Sequence, residues 1–196
     1  MSFKTNLEFI QSSWLLEFSS KSWSLFLWFL LMKYVDTIIG FREVPDEISL
    51  CIDISGCPIK CPSCHSKYLW NDIGHELNES SLNSLILANS GISCVCLMGG
   101  SQDPKYISEL AKFIKENYKD LKVCWYTGDK DLSPDINLTY FDYYKLGPYD
   151  EKYGSIDNPK TNQRFYTRGS LLHKMDACPN EFYDTTSKFW VNDTII

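Results

Sequence analysis

Three cysteines, Cys57, Cys61 and Cys64, stand within eight residues of one another in the stretch SGCPIKCPSCHSKYLW, residues 55–70, with the spacing C-x3-C-x2-C. Thiols crowded in this way are soft metal ligands or a redox pair, and the spacing narrows the choice. A structural zinc ion wants four closed ligands, usually as two separated pairs. The nearest fourth donor is His65, directly beside Cys64 and poorly placed to complete the same tetrahedron. Cys61-Pro-Ser-Cys64 alone reads as a thioredoxin-like pair, but such a pair has no use for a third thiol upstream, and no helix evidently opens at it. In a 4Fe–4S cube, three thiolates from one loop leave one iron without a protein ligand, open to a substrate or cofactor. The open-site cluster accounts best for the spacing, with zinc and a redox pair as the alternatives.

The other cysteines are Cys51, Cys94, Cys96, Cys124 and Cys178. All but Cys178 lie in apolar, strand-like runs and read as core, because free cysteine is among the most buried residue types. A secreted disulfide framework usually occupies a shorter chain behind a signal peptide. The best signal-like run, LFLWFLLM at 25–32, is followed by no small-residue cleavage pattern. It is also far shorter than the roughly 20 residues that cross a bilayer. A cytoplasmic protein with no membrane partner is therefore expected. A net charge of −6 with a pI near 5.1 counts against a binder of nucleic-acid phosphates. At 196 residues, 44% hydrophobic and 22% charged, the chain is long enough for one globular domain with a sizeable core.

The elements that must carry the cysteine loop follow from periodicity. Residues 1–31 hold three of the six tryptophans but no clear capping or turn signals, and are expected to be an extension without assigned function. Met32 reads like a natural start leading into a strand, so a misassigned upstream start is the favoured explanation and an amphipathic appendage the other. YVDTII at 34–39 forms a strand, and a turn around Pro45 and Asp46 follows. SLCIDIS at 49–55 alternates Leu50, Ile52 and Ile54 with Cys51, Asp53 and Ser55, the period of a strand. Asn78 caps a helix carrying Leu82, Leu85 and Ile86, and Gly91 ends it. CVCLM at 94–98 is a further strand, and Asp103 caps a second helix with Pro104 at its first position. KVCWYT at 122–127, a helical turn beginning near Pro134 and YYKL at 143–146 complete the alternation.

Strands alternating with helices imply parallel pairing through right-handed crossovers, hence an α/β fold. Each candidate strand from residue 49 onward runs into glycine: GCPIKC, GGSQDP, GD and GPYD. In a parallel sheet or barrel these strand ends lie on one edge, where ligands bind and where glycine lets backbone come close. The chain is too short for eight βα units, so a partial barrel or an open sheet is expected.

The loop Cys57-x3-Cys61-x2-Cys64 after the first core strand is the signature of the radical S-adenosylmethionine superfamily. Together with LMGGSQDP, YTGD and TNQRFY at 161–166, it resembles the anaerobic ribonucleoside-triphosphate reductase activating proteins over about residues 33–167. The resemblance implies a partial (β/α) barrel of the radical SAM type over 32–170, followed by a C-terminal tail at 171–196. It implies a 4Fe–4S cluster on Cys57, Cys61 and Cys64, with S-adenosyl-L-methionine chelating the open iron. It also implies an enzyme that cleaves that cofactor reductively and leaves a glycyl radical on the reductase, supplied by a low-potential electron donor. Gly99 and Gly100 would present backbone to the cofactor's amino group, and Tyr126, Thr127 and Gly128 would line the same edge. Asn162, Gln163 and Arg164 form the late motif, with Arg164 meeting a carboxylate or holding the C-terminal region. His65 and Lys67 would flank the cluster, although an exposed Lys67 is the simpler view. Ser101 stands where many relatives carry an acidic residue, which leaves the amino-group contact to backbone carbonyls; Asp103 already serves as a helix cap. Ser63 departs from the glycine or aromatic residue frequent before the third cysteine. Activases of other glycyl-radical enzymes, of the formate-lyase type, and a non-catalytic zinc or iron–sulfur module are the alternatives.

Overall fold

The structure is a computed structural model that describes residues 31–169 and 181–190. The expectations for the N-terminal extension, Leu31 apart, and for Cys178 fall outside the described residues. The chain divides into two units, Met1–Leu31 and Met32–Ile196, and the fold is that of the second.

Among the described residues, eight strands form one sheet: β1 (Lys33–Gly40), β2 (Ser49–Ile54), β3 (His75–Glu76), β4 (Cys94–Met98), β5 (Lys122–Tyr126), β6 (Tyr143–Leu146), β7 (Arg164–Arg168) and β8 (Phe182–Asp184). Two helices accompany them, α1 (Glu79–Ala88) and α2 (Pro104–Asn117). The strand order is β3-β1-β2-β4-β5-β6-β7-β8. β2, β4, β5 and β6 pair in parallel, while β1, β3, β7 and β8 pair antiparallel. The fold is α/β as expected, but the sheet is open and not a closed barrel.

The departures from simple alternation have local causes. The link from β1 to β2 runs only from Phe41 to Ile48, too short for a parallel crossover, so these strands meet antiparallel. Between β5 and β6 the helical turn begins later than expected, at Leu138–Tyr140. Asn137 caps it by accepting the Thr139 N–H, and its own N–H donates to Ser108 of α2 at 2.8 Å.

The helix starts form as their side chains dictate. Asn78 accepts the Ser81 N–H at 2.9 Å while the Ser81 hydroxyl accepts the Asn78 N–H, a reciprocal cap on α1. Asp103 accepts the Tyr106 N–H at 3.0 Å, and Pro104 needs no donor at the first position of α2. Both helices press one apolar stripe onto one face of the sheet, where Leu82, Ile86, Ile107, Leu110 and Ile114 meet Leu50, Ile52, Val95, Leu97, Val123 and Trp125. Each fully buried aliphatic side chain there contributes about 1.5–3 kcal/mol.

The opposite face belongs to the thiols. Cys51, Cys96 and Cys124 stand in register on adjacent parallel strands, and with Cys94 they are fully buried beneath Val44, Tyr143 and Phe165. The four scattered cysteines in apolar runs are core, as their setting suggested. At the N-terminal edge of the parallel strands, buried Glu47 accepts hydrogen bonds from Lys122 at 2.5 Å, Tyr143 at 2.7 Å and Ser93 at 2.6 Å.

Candidate functional site

Because β2, β4, β5 and β6 are parallel, their C-terminal ends share one edge, and Gly56, Gly99–Gly100, Gly128 and Gly147 follow them. The glycine pair after β4 is needed for the fold itself. Gly99 and Gly100 have φ of +117° and +81°. A Cβ on Gly99 would stand 2.8 Å from the Ile54 carbonyl oxygen, and one on Gly100 would stand 2.3 Å from Cδ1 of Ile107. Their polar groups are engaged as well. The Gly99 N–H donates to Tyr126 O, its carbonyl accepts the Trp125 indole N–H at 2.7 Å, and the Gly100 carbonyl accepts the Asp103 N–H. Each carbonyl keeps a second lone pair.

The cysteine loop leaves β2 at this same edge. Its base is closed by Gly56 N–H to Asn71 O at 3.0 Å and Cys57 N–H to Leu69 O at 2.9 Å. A short helical turn, Lys67–Trp70, ends it, and the Tyr68 hydroxyl donates to Asp53 of β2 at 3.1 Å. Between these anchors Lys60 takes a left-handed conformation, and the Cys64 N–H bonds back to Cys61 O. Cys57, Cys61 and Cys64 are free thiols, half-buried, unlike the four in the core.

The donor set fits a cluster better than a single ion. Among the described residues no three His, Cys, Asp or Glu side chains converge on one point, as a zinc ion would require. A cube asks for something else, since each thiolate takes a different iron. His65 is exposed and packs its ring on Tyr149 at 5.1 Å, so it completes no tetrahedron. Trp70, at the end of the same loop, has a buried indole N–H with no acceptor among the described residues. That is a donor of the kind that cluster sulfurs accept. Lys67 is exposed, its ammonium 5.6 Å from the Trp70 ring.

The long segment between β6 and β7 faces the loop. Ser63 donates to Glu151 at 2.9 Å, and a cavity of about 900 Å³ opens between them, lined by Ile59, Cys61, Lys130, Tyr149 and Asn162 among others. The late motif stitches this segment to the strand edge. Asn162 donates to Pro148 O at 2.9 Å and Gln163 to Gly147 O at 3.3 Å. Arg164 donates to Thr161 O and Gln163 O and pairs with Asp184 of β8 at 3.6 Å. Its carboxylate partner thus lies in the C-terminal region that it holds.

The residues expected along the edge divide. Thr127 and Gly128 stand there with Gly99 and Gly100. The buried Thr127 hydroxyl shares a hydrogen bond with Ser101 at 2.6 Å and donates to Asp129 at 2.6 Å. A carboxylate is therefore coupled to Ser101 through Thr127, although no acidic residue follows the glycine pair. Gly128 lets Ile59 of the cysteine loop pack against the strand end. Tyr126, in contrast, turns into the sheet, where its hydroxyl donates to Glu43 O and burial pushes its pKa well up. It forms a floor and carries no free group to a ligand.

Lys145 escaped the sequence reading. On β6 it stands in register with Tyr126, is only 8% exposed and donates to Gly147 O at 2.9 Å. Burial pushes its ammonium down to a pKa of about 8, against the pull of the Cys61 and Cys64 sulfurs. The available signal was a lysine inside the apolar run YYKL, directly before a strand-ending glycine.

Among the described residues no helix is long and apolar enough to cross a membrane. Neither the comparison with curated proteins nor that with solved structures returns a match. The model of a family described as a 4Fe-4S single cluster domain matches residues 47–139, from the turn before β2 through the cysteine loop to the turn before β6, and it indicates a 4Fe–4S cluster-binding domain.

Proposed function

We propose that this chain is a radical S-adenosylmethionine enzyme that activates anaerobic ribonucleoside-triphosphate reductase by generating its glycyl radical. The observation that carries this reading is where the cysteine loop emerges. It leaves β2 at the edge where β4, β5 and β6 also end, each followed by glycine. A purely structural metal loop has no need of that edge, whereas a cofactor bridging an open iron and the strand ends does.

Cys57, Cys61 and Cys64 would hold the cluster, and the unpartnered indole N–H of Trp70 would be a donor for its sulfurs. When bound, such a cluster would supply the one electron for reductive cleavage of S-adenosylmethionine, the chemistry that removal of a glycine Cα hydrogen calls for. The Gly99–Gly100 turn, whose lack of side chains lets it close against Ile54 and Ile107, brings backbone carbonyls to the strand edge. Ser101, linked through Thr127 to Asp129, offers an oxygen to the cofactor's ammonium beside the backbone carbonyls. The segment 147–163 forms the wall facing Cys61 across the cavity. The fold compatible with this chemistry is a partial barrel of the radical SAM type in which β2, β4, β5 and β6 supply the binding edge.

The test is anaerobic reconstitution of the full chain with iron and sulfide, then electron paramagnetic resonance with and without S-adenosylmethionine. The expected result is about four iron and four sulfide per chain, a reduced-cluster signal that changes on adding the cofactor, and 5′-deoxyadenosine as product. Adding the reductase should then give a glycyl-radical signal. A colourless protein with about one zinc per chain, or a cluster signal indifferent to the cofactor, would overturn the reading.

A further inference from the structure

We infer that Lys145 is the electrostatic partner of the cysteine loop, a positioning residue whose buried positive charge stabilises the reduced cluster. The inference rests on the cluster reading above and extends it to a residue on a different strand.

The geometry is unusual for a lysine. Its ammonium lies at the binding edge, nearly out of water, with Gly147 O at 2.9 Å and the Tyr126 ring centroid at 5.9 Å. Among the described residues no carboxylate is within ion-pair distance of it. An ammonium taken out of water without a counter-charge is costly, and one carbonyl does not offset that cost. The cysteine loop reaches the same place. Ile59 packs against Gly128, beside Thr127, whose N–H donates to Lys145 O. Pro148, next to the Gly147 that holds the ammonium, lines one cavity with Cys61, a candidate ligand. A cube held by three thiolates is net negative and gains a further negative charge on reduction. A cation fixed beside it favours the reduced form and raises the reduction potential, since charge and burial are levers on cluster potential. The backbone makes the position rigid. Lys145 O accepts the Thr127 N–H at 2.9 Å, and β7 pairs with Lys145 through Phe165.

The experiment compares reconstituted wild type, Lys145→Gln and Lys145→Arg by potentiometric titration in the absence of S-adenosylmethionine, with iron and sulfide measured on each sample. In Lys145→Gln the oxidised-to-reduced ratio at a fixed potential should rise about tenfold, which for one electron is a shift of about 59 mV to more negative potential. Lys145→Arg, which keeps the charge, should stay within about threefold of wild type, about half that shift. An unchanged ratio in Lys145→Gln would overturn the inference while leaving the cluster reading intact, because a lysine serving only a ligand carboxylate leaves the ligand-free potential alone. If Lys145→Gln folds but takes up no cluster, retention by Lys145→Arg supports the charge role. Loss in both variants overturns it in favour of packing. A wild type that binds no iron overturns both readings together.

Discussion

The thiols of Cys61 and Cys96 are the same chemical group in settings that permit different chemistry. Cys96 is fully buried among Cys51, Cys124 and apolar neighbours, and burial pushes its pKa well above the ordinary value, so it stays a neutral, inert thiol. Cys61 is half-buried in a surface loop that lines an open cavity. Replacing Cys57, Cys61 or Cys64 with alanine should therefore abolish cluster retention and cofactor cleavage. Cys94→Ala should leave both largely intact, and Cys96→Ala should retain the cluster while losing about 1–2 kcal/mol of stability. Iron analysis after anaerobic reconstitution and urea titration separate the two effects. A single-loop variant that still cleaved S-adenosylmethionine at the wild-type rate would remove the ligand assignment. At this scale the sequence was informative about the three half-buried thiols of one loop, because their spacing is local. It was silent about Lys145, whose burial beside Tyr126 arises only once β6 lies beside β5.

The strand-to-helix turns show how much of an element its own residues specify. Asn78, Asp103 and Pro104 announce the helix starts because caps act on backbone groups only two or three residues away. The strands β3, β7 and β8 were not recognised as strands, and their pairing depends on partners far along the chain, as in β7 with β6 and β8. The glycine after β4 gives the sharpest test of an element's demands. Gly91 and Gly100 both have positive φ, +87° and +81°, but a Cβ at Gly91 would meet nothing, whereas one at Gly100 would collide with Ile107. Gly91→Ala should cost about 1–2 kcal/mol from backbone conformation alone. Gly100→Ala adds overpacking of about 1–3 kcal/mol, with displacement of the first turns of α2. Urea titrations of both variants read the difference, and equal losses would mean that α2 yields freely.

Across the whole molecule the sheet separates two tasks at its two edges. The C-terminal edge carries the cysteine loop, and the N-terminal edge is fastened by Glu47. Burial by itself would raise the Glu47 carboxyl, but hydrogen bonds from Lys122, Ser93 and Tyr143 outweigh it and hold the pKa below its ordinary 4.5. These donors come from β5, from the residue before β4 and from β6, so one carboxylate ties three parallel strands to the turn that follows β1. A carboxylate with a lowered folded pKa stabilises the native state above its unfolded pKa, and that stabilisation is lost as pH falls through the folded value. Glu47→Gln should therefore lower stability by about 1–3 kcal/mol at pH 7, with the gap to wild type closing as the pH drops below about 4.5. Urea titrations from neutral to acid pH measure this directly, and a gap independent of pH would mean that the charge of Glu47 contributes nothing. Because Glu47 lies at the edge opposite the cysteines, the variant should bind as much iron as wild type at neutral pH. Loss of stability with full cluster uptake is the pattern that two edges with separate duties require.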